Sequence, residues 1–122
     1  MNKVQMTGWL GNKFPLKETA NSCVVNFSIG TRKNYKEGGT WAKGTDYHRC
    51  VIWGKRAEFV DKLDEGTPLS IDGRLKTRSW EKDGKRSYST EVIVDNLETF
   101  QLDESQQRDL AQEQPEADDL AF

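Results

Sequence analysis

The sequence predicts an all-β domain carrying one short helix, on three observations. Apolar residues recur with period 2 in five separate segments, the spacing at which a strand turns alternate side chains to opposite faces. Turn-forming residues punctuate those segments at Gly11-Asn12, Thr19 to Asn21, Lys36 to Gly44, Glu65 to Pro68 and Asp83-Gly84. A single stretch, "KRAEFVDKLDEG", has helical spacing instead.

In the first strand Val4, Met6, Gly8 and Leu10 alternate with Lys3, Gln5, Thr7 and Trp9. In the second, Val25, Phe27 and Ile29 alternate with Asn26, Ser28 and Gly30. The third, "DYHRCVIWGKR" at 46–56, divides unusually: Tyr47, Arg49, Val51, Trp53 and Lys55 share one face, and His48, Cys50, Ile52 and Gly54 the other. The helix follows, with Ala57, Val60 and Leu63 on one side and Gly66 placed as its C-terminal cap. "PLSIDGRLKTRSW" is the fourth strand, with Arg74, Lys76, Arg78 and Trp80 on one face and Leu75 and Thr77 on the other; "RSYSTEVIVDNL" is the fifth. Phe27 and Phe59 are expected in the core. The order β-β-β-α-β-β matches the five-stranded OB-fold, a partly open Greek-key barrel that commonly binds oligonucleotides. Residues 1–100 form this domain, and 101–122, "QLDESQQRDLAQEQPEADDLAF", are expected to be a disordered acidic tail.

The bulk properties narrow the function. At 122 residues the chain fits one compact domain with one hydrophobic core. No apolar run approaches the roughly 20 residues that cross a bilayer, and the start resembles no signal peptide, so a soluble, intracellular protein without a membrane partner is expected. Cys23 and Cys50 lie in apolar strands without metal or CxxC spacing and are expected to be buried, reduced thiols. Residues 1–100 hold 17 Lys and Arg against 13 Asp and Glu, and the rest holds one Arg against seven acids. A mildly basic body with an acidic tail suggests a polyanion for the body and a separate task for the tail. No metal cluster, phosphate-cradling glycine loop or nucleophile motif is present in the sequence, and His48, the only histidine, has no catalytic partner at a suggestive spacing. A binding protein with no cofactor, not an enzyme, is expected, with His48 in a structural or interface hydrogen bond.

Rings interleaved with cations suit unpaired nucleic acid, because phosphates attract the cations and every base has a π-face to stack. Trp53, Trp80 and Tyr47 are the candidate stacking rings on strands. Tyr35 and Trp41 lie in "RKNYKEGGTWAKG", which is either a mobile clamp or a hairpin tip. Arg32, Lys33, Lys36, Arg49, Lys55, Arg74, Lys76 and Arg78 are the candidate phosphate contacts. Tyr88 has no assigned role. An OB-type protein-docking adapter and an RNA-binding OB module are the rival readings.

"MNKVQMTGWLGN", "NFSIGTRKNYK", "TDYHRCVIWGKRAEF", "GTPLSIDGRLKTRSW" and "YSTEVIVDNLETF", in this order over about residues 1 to 100, resemble the bacterial-type single-stranded DNA-binding protein family. The resemblance implies an OB-fold, homotetramers, and sequence-independent coating of single-stranded DNA in replication, recombination and repair, in the cytoplasm. It places the family's base-stacking rings on Tyr35, Tyr47, Trp53 and Trp80, where members usually carry Trp at the first two and Phe at the third. Trp9 replaces a common Asn and is either an extra stacking ring or a subunit contact; Val4, Met6 and His48 take structural roles. "DDLAF" resembles the acidic tip that recruits replication and repair proteins, with Asp118, Asp119, Leu120 and Phe122 as partner-binding residues. Leu120-Ala121 replaces the usual Ile-Pro, and the linker is short, as fits a phage- or plasmid-borne version.

Overall fold

The computed structural model describes residues 1–100. Their elements run β1 (Val4–Lys13), β2 (Lys17–Glu18), β3 (Cys23–Glu37), β4 (Thr40–Trp53), α1 (Lys55–Asp61), β5 (Pro68–Lys82) and β6 (Lys85–Thr99). The five long strands are those expected from the alternation, and β2 is a two-residue addition paired with β3.

Strand β1 closes the barrel. Val4 to Trp9 pair antiparallel with β5, and Trp9 to Lys13 pair with β3. The register shifts between Leu10 and Lys13, so Gly11-Asn12 marks an irregularity inside one strand and not the expected break. The circuit continues β5-β6-β4-β3, in which only the β4–β6 link, Cys50 to Val92 and Val51 to Ile93, is parallel. This is a closed five-stranded OB barrel, and closure leaves the long strands no open edge within it.

Two hairpins project beyond the closed part. β3 and β4 remain paired out to Glu37 and Thr40, so the segment Lys36 to Gly44 forms the tip of a hairpin. It turns over Gly38 and Gly39, at φ 58° and 83°. β5 and β6 end likewise at Lys82 and Lys85, over Asp83 (φ 54°) and Gly84 (φ 78°). Two central residues at positive φ give the turn whose twist matches that of the flanking strands, which is why Gly-Gly and Asp-Gly sit there.

The barrel interior is filled by Leu10, Val25, Phe27, Ile29, Cys50, Ile52, Leu69, Ile71, Val92 and Val94, closed at one end by Ala57 and Val60 of α1. Both cysteines are free and buried, and burial pushes the Cys50 thiol up to about 12. Helix α1 starts after Gly54, at φ 78°, and ends at Lys62 in the αR conformation. Gly66 lies further on, with its N–H donating to the Leu10 carbonyl at 2.7 Å, so it anchors the connection to β5 and does not cap the helix directly. Lys13 Nζ instead covers the helix end, donating to the Asp61 and Leu63 carbonyls at 2.6 and 2.7 Å. Burial of Val60 contributes about 1.5–3 kcal/mol to docking the helix.

Phe59 departs from expectation. It is 47% exposed, because at 100° per residue it falls about 200° from Ala57, outside the buried stripe. Among the described residues no helix is long and apolar enough to cross a membrane.

Candidate nucleic-acid interface

The outer face of β4 is built as its alternation demands. Trp53 pairs with Val24, Val51 with Asn26, Arg49 with Ser28 and Tyr47 with Gly30, so these eight residues share one face while Ile52, Cys50 and His48 share the opposite one with Val25, Phe27 and Ile29. His48 there exchanges a 2.9 Å hydrogen bond with Thr31 Oγ1, the structural part expected of it. Through the parallel link the outer face continues from Val51 to Ile93 of β6 and then to Ser89 and Glu91, and from these to Arg78 and Trp80 of β5. Arg49 Nη1 donates to Ser89 Oγ at 3.2 Å, which ties the two regions together.

A groove of about 880 Å³ runs along this face, lined by Trp53, Val51, Arg49, Arg78, Glu91, Val24, Asn26 and, on the side of β1, Phe14, Pro15 and Lys17. Its floor is apolar and its rim cationic. Trp53 is 50% exposed and Trp80 43%, so each ring is about half in solvent. Trp80 has a cation against its ring: the Arg78 guanidinium lies 5.4 Å from the ring centroid and is itself fixed by Glu91 Oε1 at 2.8 Å. A ring held in this way has lost most of its rotational freedom before anything stacks on it.

The remaining candidates are spread more widely. Tyr47 is half-buried, its ring against Gly11, where an added Cβ would meet Cε1 at 3.0 Å. Along the β3–β4 arm the register separates Tyr35 from Trp41. Trp41 shares the Tyr47 side of the ribbon with Lys36, Lys43 and Arg32, whereas Tyr35 lies on the other side with Lys33, whose Nζ is 5.8 Å from its ring centroid and 2.9 Å from Asp46 Oδ1. Both rings are exposed. Arg74 and Lys76 line the outward face of β5 as expected, with Arg74 3.6 Å from Asp95. These exposed ion pairs are worth about 0–1 kcal/mol each, so a phosphate can displace the carboxylate at little cost.

Three placements differ from the sequence reading. Trp9 is only 2% exposed: its ring lies flat over Gly30, so close that a Cβ there would sit 2.7 Å from it, and it offers no face to a base. Lys55 is not on β4, because positive φ at Gly54 ends the strand and Lys55 opens α1. Phe14 was given no role by strand alternation, yet it is 52% exposed on the groove wall. Tyr88 pairs with Ser79, on the side of the β5–β6 arm away from Trp80. Asp118, Asp119, Leu120 and Phe122 lie outside the described residues. Among the described residues no group of three or more His, Cys, Asp or Glu is placed to hold a metal.

Residues 1–100 match the single-strand binding protein family. The chain belongs to that family. It is 39% identical over 103 residues to single-stranded DNA-binding protein 1 of Chlorobaculum tepidum, a match that covers 80% of this chain and 64% of that relative, so the chain spans less than two thirds of the relative's length. A Plasmodium falciparum protein of the family, solved in complex with single-stranded DNA, superposes with a TM-score of 0.72 at 25% identity, covering 83% of this chain and 96% of that one. A small single-stranded DNA-binding protein from Streptomyces coelicolor has the same fold, with a TM-score of 0.63 at 20% identity over 80% of this chain and 93% of that one.

Proposed function

We propose that the chain binds and protects single-stranded DNA without sequence preference, as a non-catalytic homotetramer serving replication, recombination and repair in the cytoplasm. The observation that carries this reading is the single outer face on which Trp53 and Trp80 stand half-exposed among Arg49, Arg78, Arg74 and Lys76. Rings without a hydrogen-bonding code read no sequence, and cations without an enclosing pocket take a backbone of any length. Tyr47 and Trp41 extend this face along the β3–β4 arm with Arg32 and Lys36, and Tyr35 with Lys33 serves the strand from the other side of the arm. Family membership and the DNA complex of the Plasmodium relative support the same reading.

Residues 101–122 form the second functional unit in this proposal, with Asp118, Asp119, Leu120 and Phe122 recruiting partner proteins: Phe122 fills an apolar pocket and the carboxylates meet basic residues. Titration of dT oligomers of rising length, followed by Trp emission at two salt concentrations, tests the DNA reading. Quenching with a slope of about −0.7 per neutralised phosphate in the log-log salt plot is expected. Equal or tighter binding of rU oligomers would move the assignment to RNA.

A further inference from the structure

We propose that Phe14 is a base-stacking ring, extending the nucleic-acid path from β4 across β3 to the connection between β1 and β2. The proposal rests on the single-stranded DNA reading above. Three observations carry it.

Phe14 is a large apolar side chain 52% exposed on a wall of the groove that also holds Trp53, Arg49 and Arg78, and it is not among the residues of the barrel core. Its backbone is fixed. The Phe14 N–H donates to the Asn26 carbonyl at 2.9 Å, Lys13 before it is bound through Nζ to the end of α1, and Pro15 after it has a restricted φ. An exposed ring on an immobilised backbone loses little entropy when a ligand covers it.

Its neighbours also have the right chemistry. Phe14 joins Asn26, which pairs with Val51, which pairs with Ile93, so one row crosses from the β1 side of the barrel to β6. Two strand spacings, roughly 10 Å, separate Phe14 from β4. That span leaves each ring its own base, with Val24 and Val51 as the apolar floor between them and Lys17 on the Phe14 side for a phosphate. A lone exposed apolar residue needs no explanation; one that completes an aromatic and cationic groove does.

The test uses the full chain and 5′-labelled dT oligomers, read by fluorescence anisotropy, with Trp53→Ala alongside as the reference for the underlying reading. Phe14→Ala and Phe14→Leu should each raise Kd at least about fivefold at about 25 °C, the lower end for a lost stacking ring, while calorimetric melting shows both still folded at that temperature. Phe14→Trp should restore parental affinity and add emission that dT quenches. Parental affinity in Phe14→Ala, while Trp53→Ala is weakened, overturns the proposal and leaves the DNA reading standing. Parental affinity in Phe14→Leu overturns it as well, because bulk without a π-face would then suffice. If the parent chain itself fails to bind dT, the underlying reading falls and takes this one with it.

Discussion

Replacing Trp53 by Ala separates what its ring does for DNA from what it does for the fold. The residue ends β4 and pairs with Val24, and its ring is half in solvent. A Trp side chain buries up to about 200 Å², so half of one accounts for roughly 100 Å², which at about 25 cal/mol per Å² gives an upper value near 2.5 kcal/mol of folding free energy. A domain of this size has about 5–15 kcal/mol to lose, so the variant stays folded at 25 °C while its melting temperature falls by at most about 10–20 °C. The exposed half is what a base would cover, and stacking is worth about 1–3 kcal/mol per base, or roughly 5- to 150-fold in affinity. Calorimetric melting and anisotropy titration with poly-dT at 25 °C, on Trp53→Ala and Trp53→Phe, read the two effects separately. Trp53→Phe should keep most of the affinity, since it keeps a π-face. A folded Trp53→Ala that bound poly-dT as the parent does would refute the stacking reasoning for this face.

Arg78→Ala should weaken dT binding and make the log-log salt slope shallower by about 0.7, the contribution of one phosphate; an unchanged slope would mean that Arg78 serves only Glu91 and Trp80. Gly30→Ala should destabilise by about 1–3 kcal/mol, seen as a drop of several degrees in melting temperature, because the new Cβ would lie 2.7 Å from the Trp9 ring in a packed region. Cys50 is raised from 9.0 to about 12 mainly by burial, so the folded state holds its thiol proton more tightly than the unfolded one. The stability this confers is complete below about pH 9 and is lost as pH rises toward 12, which denaturant titrations of the parent and Cys50→Ala across that window would detect as a steeper loss in the parent.

The strands and one short helix were legible because they rest on local patterns. Alternation in "DYHRCVIW" fixed which side chains share a face of β4, and that face is the one found on the outside of the barrel. Where the pattern is local but the outcome is not, the reading departed. Gly11-Asn12 looks like a turn, but β1 needs flexibility there to pass from β5 to β3, a demand that arises only from closure. Phe59 was judged by its hydrophobicity, whereas its angle on the helix decides exposure. Trp9 has the same parity as solvent-facing neighbours, yet Gly30, some 20 residues later, leaves a flat space that the ring fills. Phe14 carries no strand signal at all; its only local cue is a ring placed before Pro15 at a strand end.

By itself the sequence determined the strand inventory, the turn chemistry at Gly38-Gly39 and Asp83-Gly84, and the rings and cations on the outer side of β4 and β5, because these depend on φ/ψ preference and period 2, both properties of neighbouring residues. Tertiary structure decided which rings stay in reach of solvent. That depends on what crosses over each residue from distant strands: Gly30 accepts Trp9, and the Asn26 carbonyl fixes Phe14 beside the groove. Such contacts are set by barrel closure, and no short window of sequence contains both partners.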